Sequence, residues 1–133
     1  MKKRAVAKFF LIFLLAMVLV LSGCSKPDER KYDTFAKCMT EKGAVMYGSF
    51  TCAACRKQRK EFGASFDLIK EIECHPRGEN SQTDLCLKKD ISKTPTWMLE
   101  KNGEEVKRLV GYQSFESLAE LAGCKFQEDI TNG

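Results

Sequence analysis

Cys52 and Cys55 stand two residues apart where an apolar run of strand length, Ala44-Val45-Met46-Tyr47-Gly48-Ser49-Phe50, gives way to a helical segment. No other feature limits the fold as strongly. A strand apolar along its whole length is one covered on both faces, and the helix it feeds opens with unpaired backbone N–H groups. A sulfur at that point feels the partial positive end of the helix, which favours its thiolate. Such placement lowers a cysteine pKa from about 8.5 into the range of roughly 3.5–7.5, and the thiolate is the form that attacks a disulfide. Cys52 is therefore expected as the exposed nucleophile, and Cys55, one turn further in, as the thiol that resolves the mixed disulfide. Arg56, Lys57, Arg59 and Lys60 follow at once. They read as a solvated helix face, with thiolate stabilisation as the alternative, because cations near a helix N-terminus oppose its dipole.

The chain has 133 residues, enough for one domain and a modest core but not two. Its 22 Lys and Arg against 18 Asp and Glu suggest a basic protein. Four of those cations (Lys2, Lys3, Arg4 and Lys8) lie in the first 23 residues, which hold no acid, so the remainder balances to zero. A nucleic-acid binder relying on a broad basic field is excluded on that count. The same segment has the parts of a secretory signal: the basic start, an apolar run from Phe9 to Leu21, then Ser22 and Gly23. Leu21-Ser22-Gly23-Cys24 resembles the lipobox of bacterial lipoproteins. That resemblance implies cleavage before Cys24, a lipid on its sulfur, and a domain held at a membrane surface outside the cytoplasm. Seven cysteines in so short a chain agree with a compartment where disulfides persist. The expected organisation is a signal peptide over 1–23, a lipidated tether over 24–33, a domain over 34–125 and a polar tail over 126–133.

Within the domain, Asp33 is positioned to cap a first helix, Thr34 to Lys42, with Phe35, Cys38 and Met39 on one face and Gly43 at its end. The strand to Phe50 follows, then a helix from Ala53 to Ser65 and a strand from Leu68 to Glu73. Ser81 and Asp84 have the spacing of a capping box for a helix to Lys89. Asn102-Gly103 between two apolar runs, Thr96–Glu100 and Glu105–Val110, is a strong hairpin signal. Ser114 caps a final helix with Phe115, Leu118, Ala119 and Ala122 inward and Gly123 at its end. The order α-β-α-β-α-β-β-α predicts an α/β domain, a mixed central sheet flanked by helices.

A Cys-x-x-Cys pair also occurs in zinc sites, and a zinc reading would add two of Cys74, His75 and Cys86. The second half-site lacks close ligand spacing, and an exported chain favours disulfides. His75 reads as a loop residue, with a ligand or proton-relay role as the alternative.

The stretch from Phe35 to Gly123 resembles thioredoxin-like domains, in particular those fused to or accompanying bacterial vitamin K epoxide reductase homologues. The residues that carry the resemblance are Phe35-Ala36-Lys37-Cys38, Met46-Tyr47-Gly48-Ser49-Phe50 running into Cys52-Ala53-Ala54-Cys55, Gln58, Phe62-Gly63, Glu73-Cys74-His75-Pro76, Thr94-Pro95-Thr96-Trp97 and Gly111-Tyr112-Gln113-Ser114. The resemblance implies a thioredoxin-like fold with a cis bond before Pro95 packed against the cysteine pair, and a Thr94 whose backbone receives an extended substrate peptide. Excluding Cys24 and the Cys-x-x-Cys pair leaves Cys38, Cys74, Cys86 and Cys124, for which three pairings are open. Relatives bracket the same loop with cysteines, which implies Cys74–Cys86. Cys38, on the apolar face of the first helix, then joins Cys124, just after the last. Both pairs are expected as structural staples, with an electron relay through Cys74–Cys86 as the alternative.

Three departures stand out. Relatives carry Trp-Cys-Pro-His-Cys where this chain has Thr51-Cys52-Ala53-Ala54-Cys55, and the intervening residues tune redox potential, so the direction of exchange is left open. The strand before the motif contains no acid, and a membrane reductase domain is not expected within this sequence. The expectation is a membrane-tethered thiol–disulfide oxidoreductase without metal or organic cofactor, exchanging disulfides with protein cysteines. Its membrane partner would be a separate chain, quinone-linked and vitamin K epoxide reductase-like or another disulfide-exchange protein. The alternatives are a non-catalytic structural or binding lipoprotein on the same scaffold, and a zinc-binding module.

Overall fold

The computed structural model describes residues 30–129, so the expected signal segment, Cys24 and most of the expected tether lie outside the described residues. Among the described residues, four helices and four strands follow one another in the expected order: α1 (Asp33–Glu41), β1 (Ala44–Gly48), α2 (Ala53–Phe62), a 3-10 turn (Gly63–Leu68), β2 (Lys70–Glu73), α3 (Thr83–Lys88), β3 (Thr96–Lys101), β4 (Glu104–Val110) and α4 (Phe115–Ala122). The strands form one mixed sheet in the order β2-β1-β3-β4. β1 runs parallel to β2 and antiparallel to β3, and β3 pairs antiparallel with β4. The predicted α/β class is therefore present.

Burial on both faces of β1 explains its unbroken apolar run. Ala44 and Met46 point into one cluster with Phe35, Met39, Phe62, Trp97 and Leu118. Val45 and Tyr47 point into a smaller one with Ile72, Cys86 and Met98. An alternating strand cannot serve a sheet packed on both sides. The β3–β4 turn has Asn102 at φ 53 and Gly103 at φ 80, the paired left-handed conformations that an Asn-Gly hairpin supplies. Ser114 Oγ accepts the Ser117 N–H at 3.3 Å and Gly123 closes α4 at φ 68, as the sequence predicts.

Several local expectations are corrected. α1 begins at Asp33 itself, with Tyr32 at the cap position and no side-chain cap of its own. Its Thr34 N–H is bonded instead by the Asp129 carboxylate at 2.9 Å, a partner 95 residues away. The Ser81–Asp84 capping box does not form. Gln82 precedes α3, and Ser81 Oγ pairs with Thr83 Oγ1 at 2.8 Å. The strand expected to reach Phe50 stops at Gly48, because the Cys52 N–H turns back to Ser49 O at 3.2 Å and the Phe50 N–H bonds Glu73. Gly63, at φ 56, ends α2 before Ser65, and β2 starts at Lys70.

The packed unit also reaches beyond 34–125 at both ends. Tyr32 and Phe126 join Phe35, Phe62 and Phe115 in one aromatic cluster, with ring centroids 4.6 Å apart for Tyr32–Phe115 and 4.9 Å for Phe115–Phe126. Asp129 N–H bonds Lys31 O at 2.6 Å. Aromatic pairs of this kind contribute about 0.5–1.5 kcal/mol beyond their buried area, so these flanks belong to the fold.

Candidate active site

Cys52 sits at the N-cap position of α2, where its sulfur accepts the Cys55 N–H at 3.2 Å. That bond satisfies one of the helix's free donors and brings the sulfur under the positive end of the helix. Cys52 is half-buried, Cys55 is fully buried, and both are free thiols. The two sulfurs therefore differ in access, as the sequence suggests.

Their acidities differ as well. Burial works against a charged Cys52, but the Cys55 thiol, the Thr94 side chain and the backbone N–H groups of Cys55 and Ala54 outweigh it and hold the Cys52 thiol below the ordinary cysteine value. Burial, reinforced by the neighbouring Cys52 sulfur, pushes Cys55 up to about 11. As pH rises, Cys52 is thus the first of the two sulfurs to ionise.

The loop before β3 closes over this pair. The Thr94–Pro95 bond is cis, Pro95 is buried, and the Cys52 thiol donates to Thr94 O at 3.2 Å. Cys38 is bonded to Cys124, joining α1 to the end of α4, and Cys74 is bonded to Cys86, joining the loop after β2 to α3. The second bond uses up two sulfurs that the zinc alternative required. Among the described residues no group of three or more His, Cys, Asp or Glu side chains is arranged to hold a metal.

The basic run after Cys55 is more than a solvated face. The Arg56 guanidinium donates to Thr51 O at 3.0 Å, pinning the loop that carries Cys52. Arg59 forms a two-pronged pair with the Glu71 carboxylate, and the Lys57 ammonium lies 3.8 Å over the Tyr112 ring. His75 is a loop residue, its Nδ1 accepting the Arg77 N–H at 3.1 Å.

Two supporting residues stand among those that carry the family resemblance, but the sequence gives no sign of what each does. Glu73 accepts from the Phe50 N–H at 2.9 Å and the His75 N–H at 2.7 Å, clamping the loops after β1 and β2 together. Gln58 is fully buried one turn beyond Cys55. Its Oε1 accepts from Trp97 Nε1 at 3.3 Å and the Gln113 N–H at 3.0 Å, and its Nε2 donates to Gln113 O at 3.1 Å. The amide fixes α2 against β3 and the loop before α4. Replacing it with Leu strands buried donors and an acceptor, each costing about 1–3 kcal/mol. Gln58→Leu is expected to lose about 3 kcal/mol in a urea titration, and a loss under ~1 kcal/mol would show the network to be dispensable.

No family model matches the chain. It is 34% identical over 99 residues to the thiol-disulfide oxidoreductase LTO1 of Arabidopsis thaliana, a match covering 70% of this chain and 24% of that protein. It is 32% identical over 92 residues to protein disulfide-isomerase 5-1 of the same plant, covering 65% of this chain and 63% of the relative. The chain thus spans about a quarter of the first relative and under two thirds of the second. Against the solved thioredoxin of Aeropyrum pernix the TM-score is 0.47 at 22% identity, covering 68% of this chain and 80% of that one. Independently of that likeness, the element order and sheet topology are those that the thioredoxin-like resemblance in the sequence implies. A parallel β-α-β half (β1, α2, β2) meets an antiparallel β-β-α half (β3, β4, α4), with the thiol pair where β1 hands over to α2 and the cis-proline facing it.

Proposed function

We propose that this chain is a thiol–disulfide oxidoreductase acting on protein cysteines through Cys52 and Cys55. The observation that carries the reading is the asymmetry of the pair. A half-exposed sulfur is held below the ordinary thiol pKa at the start of α2, and a fully buried one is pushed up to about 11 three residues later. The activities for which the two plant relatives are named support the same reaction class.

In the reducing direction, the Cys52 thiolate attacks one sulfur of a partner disulfide. The partner's S–S bond breaks, a Cys52–partner disulfide forms, and the other partner sulfur leaves as a thiolate that takes up a proton. Cys55 then loses its proton and attacks Cys52 Sγ, releasing the second partner thiolate. The Cys52–Cys55 pair ends oxidised by two electrons and the partner disulfide reduced. The oxidising direction is the reverse. The backbone at Thr94 and Pro95, beside Cys52, would align the partner's extended segment, and the reaction needs no metal or organic cofactor.

Lipid on Cys24 would hold this chemistry at a bacterial membrane, outside the cytoplasm. The electrons would pass to or from a separate membrane protein of the vitamin K epoxide reductase-like kind or another disulfide-exchange partner. The test is a Cys55→Ser chain, which is expected to accumulate covalent complexes with partner proteins joined through Cys52, mapped by mass spectrometry. Complexes joined through a different cysteine would refute the assignment.

A further inference from the structure

We infer that the Phe50 and His75 rings form a recognition ledge beside Cys52, selecting partner segments that carry an aromatic residue next to the reactive cysteine and an acidic residue beyond it. This rests on the exchange reading above and names the substrate class of that site.

Phe50 is 47% exposed, two residues before the nucleophilic sulfur, in a chain whose other phenylalanines among the described residues are buried or partly buried. The ring has one aromatic neighbour, His75, edge-on at 5.1 Å and 79°. The two rings follow the carboxyl ends of the adjacent parallel strands β1 and β2, Phe50 exposed and His75 partly so.

The ledge is held in place. One carboxylate, Glu73, bonds the backbone N–H of both ring-bearing residues. Gly78 allows this, since a Cβ there would lie 2.3 Å from Glu73 Cγ. Ser49 Oγ accepts the Thr51 N–H at 3.2 Å, and Arg56 bonds Thr51 O. An exposed phenylalanine on an unrestrained loop would fold back onto the protein. Here the backbone on both sides is fixed while the ring faces water, the arrangement that lets a ring receive a partner side chain at low entropic cost.

Charge sets the second half of the preference. The carboxylate of the ledge is turned toward backbone N–H groups, and the helix that begins beside it has no acid in its first turn. Arg56 is exposed there, its guanidinium donating to Thr51 O at 3.0 Å and Phe50 O at 3.5 Å, whereas Lys57 lies over the Tyr112 ring. An acidic residue of the partner meets the Arg56 cation, whereas a lysine is repelled by it.

The experiment uses the full chain, purified in detergent and reduced, and peptides whose single cysteine is disulfide-bonded to glutathione. The peptides differ only in having Phe or Ser next to the cysteine, and Glu or Lys two residues further on. Single-turnover exchange follows oxidation of the Cys52–Cys55 pair as peptide thiol and glutathione are released. The Phe peptide is expected to react about fivefold to tenfold faster than the Ser peptide. Glu is expected to outpace Lys by about threefold at low salt, with the difference fading as salt rises. In Phe50→Ala the Phe-over-Ser preference drops below about twofold while the Glu-over-Lys preference persists, and His75→Ala lowers the aromatic preference in the same sense.

Equal rates for all peptides with the unaltered chain overturn the inference and leave the exchange reading standing. So does an aromatic preference that survives in Phe50→Ala. If that variant loses its preference together with its rate of iodoacetamide labelling at Cys52, Phe50 governs thiol reactivity rather than recognition, and the inference falls. Exchange with no peptide at all defeats the oxidoreductase reading and this ledge with it.

Discussion

A Cys52→Ala chain is expected to reduce insulin disulfides on the order of 10³-fold more slowly than the unaltered protein, down to the rate of the dithiothreitol that recycles it. The size of the loss follows from the geometry. Exchange requires a thiolate that water and a partner sulfur can reach, and of the pair Cys52 is both the more accessible and the more readily ionised. Cys55 is fully buried and its thiol is pushed up to about 11, so it does not take over when Cys52 is removed. The other described cysteines are closed into disulfides. The pH dependence of labelling checks the same cause independently. Lowering a thiol pKa moves its ionisation to lower pH, so iodoacetamide is expected to label the reduced chain at Cys52 with a midpoint below that of free cysteine. Cys55 should stay unlabelled until the solution is strongly alkaline. Titration of Cys52 at the free-cysteine value, or equal labelling of both sulfurs at pH 7, would remove the basis for assigning the nucleophile.

What could be read from the sequence divides along a physical line. Features set by contacts within a few residues are legible: the Asn102-Gly103 turn, the Ser114 cap, and the placement of Cys52 where an apolar strand meets a helix. Each depends on backbone conformations or donors that neighbouring residues supply themselves. The layer order is legible too, because the lengths and periodicities of the segments restrict how they can be covered. Features set by distant partners are not. Asp33 has the composition of a cap, yet it lies inside α1, and the first-turn Thr34 N–H is taken by Asp129, which only the folded chain brings near. The strand into the thiol pair looks two residues too long because Glu73, on the neighbouring strand, draws the Phe50 N–H out of the sheet. The run from Arg56 to Lys60 resembles any solvated face until Glu71 and Tyr112 supply its partners. In each case the deciding group lies outside the local window that a periodicity or capping rule inspects.

Opening the Cys38–Cys124 bond, in a Cys38→Ala/Cys124→Ala chain, is expected to cost about 4.5 kcal/mol and lower Tm by about 15–30 °C. The bond spans a sequence separation of 86, so it restrains most of the domain in the unfolded state. The Cys74–Cys86 bond, with a separation of 12, closes a much smaller loop worth about 3 kcal/mol on the same reasoning. A domain of this size has a total stability of about 5–15 kcal/mol, so the Cys38–Cys124 bond supplies a substantial share of the whole. The native ends do not depend on that bond alone. The ring cluster of Tyr32, Phe115 and Phe126 and the two hydrogen bonds of Asp129 hold the same termini together. The variant should therefore still fold cooperatively, since its loss lies mainly in the freer unfolded chain. Urea denaturation separates that cause from a damaged native state: a more expanded unfolded chain exposes more surface and raises the m-value as the midpoint falls. A Tm shift under about 5 °C, with an unchanged m-value, would mean that the aromatic and Asp129 contacts already hold the ends together in the unfolded ensemble, and that the disulfide adds little to the scaffold beneath the active thiols.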